Sequence, residues 1–321
     1  MSAADPSATS GPVRSVVGPL RWIVLRLSEK HQATVALWRS EVTGLVRAGG
    51  LIMSDKAASI RHYASDDLVG RIMAALAAAG HDVSKPTVEL LSLIDQLHGG
   101  GLNSTKAQAA LIPIDKKTRV LDAGCGIGGG SRYLAHTYGC KVEAIDLTPQ
   151  FVEAAARLNT LCGMSDWISV REGSVTDLPY PDRSFDLVWC QNVTMNVEDK
   201  RRMFAEAFRV LVPGGAYTFS HAAQGPAGAP YYPLPWARDA SYSFLGTPEQ
   251  VLAWLTKAGF LDVDNRREGS GAGAQAPRPQ GDLGPATVMG ADMPARQANS
   301  GRSVAEGRLV PMLVVARRPA Q

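Results

Sequence analysis

This sequence of 321 residues has little charge of one sign to spare: 33 Lys and Arg face 30 Asp and Glu, a formal net of +3. A surplus so small, scattered without a long basic run, gives no pull toward nucleic acid. Cysteine is scarce. Cys125, Cys140, Cys162 and Cys190 stand singly and no Cys-x-x-Cys occurs, which excludes spaced thiol ligands for a metal and points to free thiols in a reducing compartment, the cytoplasm. No His, Asp or Glu grouping has metal-ligand spacing either. Long apolar runs are missing too. Residues 15–27 come nearest, but Pro19, Arg21 and Arg26 break a stretch already shorter than the roughly 18 residues a spanning helix requires. What remains is the composition of an ordinary globular protein, 45% apolar and 20% charged, with length for one α/β domain and additions.

Glycine is where the sequence speaks. Val120 and Leu121 read as a buried strand, Asp122 sits where that strand ends, and Gly124, Gly126, Gly128, Gly129 and Gly130 follow before a helix-like stretch at 131–135. Strand, glycine turn and helix bring a nucleotide-like ligand against backbone at a strand's carboxyl end. Two patterns overlap. Gly124, Gly126 and Gly129 fit the dinucleotide fingerprint, whereas Gly124, Gly126 and Gly128 fit G-x-G-x-G, with Cys125 inside the loop. Asp122 discriminates, because a carboxylate here attracts an ammonium group and repels a pyrophosphate.

Later segments carry a resemblance. Val142–Ile145 is a second apolar run closed by Asp146, about 20 residues beyond the loop, where an acid accepts from ribose hydroxyls. Thr148 and Pro149 open a helix. Strands follow at 167–170 and 185–190, then an amphipathic helix at 201–211, then Pro213-Gly214-Gly215 and a fifth strand from Ala216. Asp122-x-Gly-x-Gly-x-Gly, Phe185-Asp-Leu-Val and Arg209-Val-Leu-x-Pro-Gly-Gly together resemble the class I S-adenosylmethionine (SAM) methyltransferases over about residues 115–265. The small-molecule branch, with quinone-ring C-methyltransferases and sarcosine or dimethylglycine N-methyltransferases, is the most similar.

That resemblance implies a Rossmann-like α/β fold: a seven-stranded, mostly parallel sheet with its last strand antiparallel, helices on both faces and an N-terminal helical cap. It implies SAM as cofactor, bound by Asp122, Gly124, Cys125, Gly126, Gly128, Asp146, Leu147, Ser174, Val175, Gln191 and Gln96. Ser174 departs from the family's acid at the adenine contact, and Asp177 is the alternative. Asn192 replaces an acid that would attract an amine, which favours a phenol, quinol or secondary-metabolite hydroxyl over an amine acceptor. Tyr63, Asn192, Tyr231 and Trp236 are the expected substrate residues. His221, at the end of strand five, and His98, in the cap, are the candidate bases, since imidazole titrates near neutrality.

The organisation expected is an extension over 1–52, partly disordered, a cap over 53–112 with helices at 65–79 and 104–111, and a catalytic domain over 113–321. Within that domain an aromatic lid insert is expected over about 221–246, a flexible stretch over about 268–285, a sixth strand at 261–264 and a last strand at 309–316. The partner is a small molecule, with no nucleic acid and no membrane span, and the chain is a monomer or homodimer. Two other classes stay open: an NAD-dependent oxidoreductase, and a non-catalytic SAM-binding subunit.

Overall fold

The computed structural model describes residues 67–266 and 283–321. Expectations for the first 66 residues, Tyr63 among them, and for most of the 268–285 stretch lie outside these residues. Seven strands form one sheet: β1 (Arg119–Ala123), β2 (Lys141–Asp146), β3 (Ile168–Glu172), β4 (Phe185–Gln191), β5 (Leu211–Gln224), β6 (Leu261–Asn265) and β7 (Leu309–Arg317). Their spatial order is β3-β2-β1-β4-β5-β7-β6. β1 to β5 pair in parallel, and β7 enters antiparallel between β5 and β6, as the sequence implied.

The order reverses direction on either side of β1 and β4, which creates a crevice at their carboxyl ends. Strand alternation sorts the side chains there. One sheet face carries Val120, Val142, Leu187 and Trp189 in one core cluster, and the other carries Leu121, Ile145, Val188, Tyr217 and Phe219 in a second. Both clusters are fully buried apolar layers, which is why the central strands read as near-continuous apolar runs.

Helices cover the sheet: α1 (Leu68–Ala78), α2 (Val88–Leu91), α3 (Gly101–Ala109), α4 (Gly129–Tyr138), α5 (Pro149–Leu161), α6 (Lys200–Val210), α7 (Pro248–Lys257), α8 (Pro285–Met289) and α9 (Met293–Ala305). The cap is real among the described residues. Leu68, Val69, Ile72 and Leu76 of α1 bury against Phe151, Ala154 and Leu158 of α5 and against Ile127 of the glycine loop.

Several local expectations are corrected. α1 is capped by Asp67, whose side chain accepts from the Gly70 amide at 3.2 Å, and starts after Ser65. Thr148 precedes α5 without a side-chain cap bond, because its own amide donates to Asp146 Oδ1 at 2.9 Å and holds it toward the strand. α3 begins at Gly101, three residues earlier than Ser104. β5 begins at Leu211, with a register break before Leu187 pairs Ala216, so Pro213-Gly214-Gly215 is a bulge inside the strand. It also runs on to Gln224 and pairs there with Leu309, so His221 to Gln224 are strand and the insert starts at 225. α8 and α9 were not foreseen. Pro285 and Pro294 open them, but Gly301, Asn299 and two serines give α9 a weak helical pattern.

Candidate active site

The glycine loop is built from backbone. Gly124, Gly126 and Gly128 have φ of 86°, 55° and 84°, which L side chains rarely adopt. The Gly124 and Cys125 amides donate to the Ile145 carbonyl at 2.8 and 3.0 Å, tying the loop to the end of β2. A Cβ on Gly124 would stand 2.3 Å from Val193, so the strand-end loops close only because it is absent. On Gly126 a Cβ would meet only Leu97 Cδ1, at 3.5 Å. Asp146 Oδ2 accepts the Gly126 amide at 2.8 Å, so the carboxylate expected to hold a ribose also holds the loop.

Asp122 is buried at the end of β1 and accepts from Ser131 Oγ, in the first turn of α4, at 2.6 Å. Burial pushes its carboxyl up to about 7; the Ser131 bond opposes this and the charge of Asp146 adds to it. Asp146 is also raised by burial, against the amide bonds from Thr148 and Gly126. The two acids therefore hold their negative charge at a cost that a neighbouring cation relieves. Cys125 is a free thiol, raised by burial and then by Asp146 and Asp122, so it is inert packing in the loop.

A hub centred on Thr105, a residue not singled out from the sequence, joins the cap to the strands. Thr105, fully buried on α3, donates to Gln96 Oε1 at 2.6 Å and accepts from Gln191 Nε2 at 3.2 Å. His98 Nε2 lies 3.1 Å from the same hydroxyl and its Nδ1 lies 3.4 Å from the Gly99 carbonyl. Gln96, His98 and Gln191, three predicted residues, are thus brought together. Burial lowers the His98 pKa. His98 is held in the hub by one of these contacts, and burial leaves it a weaker base than a free imidazole.

Beside the hub, Arg132 of α4 is buried with Asp95 of the cap, Nη2 to Oδ2 at 2.9 Å, and also reaches Asn159 at 2.9 Å and the Ile127 carbonyl at 2.7 Å. A Cβ on Gly129 would stand 2.5 Å from the Asp95 carbonyl and 2.7 Å from Gln96 Nε2. The cap therefore sits directly on the first turn of α4.

His221 stands one residue beyond the Gln191–Ser220 pair, on the opposite strand parity. It is 2% exposed. Its Nδ1 meets Thr194 Oγ1, in the turn after β4, in a short hydrogen bond. Its Nε2 is buried without a protein partner. Burial, and then the Lys200 ammonium, push its pKa down to about 3, so the imidazole is neutral at any physiological pH and a weak proton acceptor. Its expected role as a base has this low basicity against it. Lys200, itself lowered to about 8 by burial, donates to the Val197 carbonyl at 2.7 Å and to the Phe244 carbonyl.

The remaining predicted residues are placed as follows. Ser174 Oγ is 2.8 Å from Thr176 Oγ1, and Val175 packs against the core. Asp177, the alternative acid, is exposed and lies 3.5 Å from Arg202. Leu147 follows Asp146 at the end of β2. Asn192 has φ of 54°, a left-handed conformation that Asn tolerates, so its identity has a backbone reason beside any effect on the acceptor. Tyr231 is turned to α9: its hydroxyl donates to Glu306 at 2.6 Å and its ring lies 3.8 Å from the Arg302 guanidinium. Trp236 is buried with Met195, Leu234 and Leu309, and its Nε1 donates to Ser243 at 3.0 Å. These two aromatics are packed residues. Among the described residues no cluster of metal ligands occurs.

Residues 121–219 match the family described as a methyltransferase domain. A sarcosine/dimethylglycine N-methyltransferase of Halorhodospira halochloris is 36% identical over 144 residues, 45% of this chain and 52% of that protein. A probable chloroplastic tocopherol O-methyltransferase of Oryza sativa subsp. japonica is 42% identical over 108 residues, 33% of this chain and 30% of that protein. The chain thus spans about half the length, or less, of these curated relatives. In fold, the geranyl diphosphate C-methyltransferase of Streptomyces coelicolor A3(2) superposes with a TM-score of 0.59 at 17% identity, covering 82% of this chain and 98% of that one. Residues 121–219 therefore match a methyltransferase domain, and the curated relatives similar to this chain are, by name, methyltransferases acting on small molecules.

Proposed function

We propose that this chain binds SAM and transfers its methyl group to a small-molecule acceptor, with a phenol, quinol or other hydroxyl favoured over an amine. The observation that carries the reading is the loop of left-handed glycines behind β1, flanked by two buried carboxyls. Its geometry fits the cofactor. Gly126 leaves backbone open where a side chain would stand, Asp146 offers lone pairs beyond the two amides it accepts, and Asp122 supplies negative charge to an ammonium group. SAM supplies an already electrophilic methyl group when bound, so the work left to the protein is alignment and exclusion of water.

Acceptor chemistry is read from the other side. The charge acting on buried His221 is the Lys200 ammonium, and Asn192 is neutral where an acid would draw a cation. A protonated amine gains nothing there, and a hydroxyl does. The relatives act on both kinds of nucleophile, to judge by their names, so the acceptor assay decides. Small size of the acceptor, a monomer or homodimer, a cytoplasmic setting and no nucleic-acid partner complete the proposal. Among the described residues no helix is long and apolar enough to cross a membrane.

Calorimetry tests the first half: SAM binds and NAD does not. Binding of NAD alone would return the chain to the oxidoreductases. Labelled SAM offered with a panel of phenols, quinols and alkyl amines tests the second. Turnover of hydroxyls is expected; turnover confined to amines would reverse the acceptor assignment, and SAM binding with no turnover of any acceptor would leave a non-catalytic subunit.

A further inference from the structure

The end of β5 carries a polar group without a protein partner. His221 Nε2 is fully buried and makes no hydrogen bond, and Ser220 Oγ beside it in sequence is likewise unpartnered. A buried polar group without a partner is unfavourable, so such a group points to a ligand that completes it. We propose that His221 Nε2–H, fixed by Thr194 and supported by Lys200, is the subsite for an oxygen anion of the methyl acceptor: a phenolate or enolate.

The tautomer follows from the partners. Thr194 Oγ1 faces two acceptors, the imidazole Nδ1 and, at 4.0 Å, the sulfur of Met195. Of the two arrangements these contacts allow, Nδ1–H to the hydroxyl with the hydroxyl on sulfur, or the hydroxyl to Nδ1, the proposed subsite takes the second, because a ring-nitrogen lone pair is a much stronger acceptor than a thioether sulfur; the ring proton then resides on Nε2. The imidazole then presents a donor and not a base. Its environment keeps it so. Lys200, from the first turn of α6, is the charged group that acts on it, and the residue across the strand pair is Met312. Lys200 is held by the Val197 carbonyl in the turn after β4 and by the Phe244 carbonyl within the insert, which leaves it one N–H and its charge. A neutral imidazole donor beside a buried ammonium favours an oxyanion and disfavours a cation, and donors aimed at oxygen in a dry site act strongly on its charge. Thr194 is a positioning residue in this scheme, since it acts through the imidazole.

The assignment rests on the methyltransferase reading, and the experiment separates the two. 4-Nitrophenolate serves as oxyanion probe with S-adenosylhomocysteine present, its absorbance reporting binding, and 15N shifts of histidine report the tautomer. Wild type should bind the probe, with His221 carrying its proton on Nε2 and not titrating between about pH 5 and 8. His221→Leu should weaken the probe at least about tenfold, His221→Gln, which keeps an N–H, less, and both should leave SAM affinity unchanged. Thr194→Val should release the tautomer and Thr194→Ser restore it. A proton on Nδ1, titration in that range, or equal probe binding by His221→Leu with normal SAM affinity would overturn the oxyanion subsite alone. Failure of the wild-type chain to bind SAM would overturn the methyltransferase reading beneath it.

Discussion

The two sides of the crevice are built on different terms. On the β1–β2 side the polar groups of the glycine loop and the two strand-end acids have partners close in sequence or in the next strand: Gly126 with Asp146, Asp122 with Ser131, Thr148 with Asp146. On the β4–β5 side the groups are joined across the fold, Thr194 with His221 and Lys200 with Phe244, and His221 Nε2 is left over. A side that binds one constant cofactor can be finished in advance. A side that receives a variable acceptor retains unsatisfied donors for it. The difference teaches where to look for specificity, because only the unfinished side can be completed by the substrate.

The sharpest way to break the comparison is on the finished side. Gly124→Ala combines a φ of 86° with a Cβ 2.3 Å from Val193, so SAM affinity should fall by at least about a hundredfold, read by calorimetry. Retained affinity would mean that the loop is not the berth. Next is the cap lock. Arg132→Met leaves Asp95 buried and unpaired, and denaturant unfolding should show a loss of about 3–5 kcal/mol, largely recovered when Asp95→Leu is added. No loss would mean that the cap is not anchored through this pair.

A pH experiment sharpens the comparison further. Asp122 is raised to about 7 in the folded chain from about 3.9 unfolded, so the native state binds the extra proton between those values. Stability of the ligand-free chain should therefore fall as pH rises from about 4 to about 7, and SAM affinity should rise as pH passes about 7. Asp122→Asn should flatten both profiles, and an unchanged pair of profiles would assign the titration elsewhere. The smallest effect belongs to the rim. Tyr231→Phe loses one exposed hydrogen bond to Glu306 and should lower the melting temperature only slightly, without changing methyl transfer. A drop in transfer would restore Tyr231 to the acceptor site.

Much of the finished side was legible in the sequence because backbone wrote it. Left-handed turns demand Gly124, Gly126 and Gly128, and a strand that ends in Asp122 or Asp146 announces its carboxyl end. The seven-stranded sheet with its last strand antiparallel was implied by the family resemblance, while the spatial order of the strands came from the structure. Thr105 was not legible: it is a threonine in a polar helix, and its partner Gln191 lies 86 residues away. Arg132 carries no signal within its helix-like stretch, because its buried partner Asp95 lies 37 residues earlier in the cap. His221 was legible as a position but not as a chemical role, because its low basicity comes from burial and from Lys200 on another element. Tyr231 and Trp236 were marked by aromatic content alone, which cannot distinguish a wall from a packed seam.

The placement of β7 has a consequence for how this protein is made. Among the described residues β6 has no neighbour in the sheet except β7, and the overhang of β5 beyond β4 is paired by β7 alone. Both must wait until residues 309–317 have been synthesised, long after the glycine loop and its helix have emerged. A nascent chain released early would hold the nucleotide half in nearly finished form while exposing two unpaired strand edges beside the acceptor half, so premature termination near residue 308 should yield aggregates and not a smaller working enzyme.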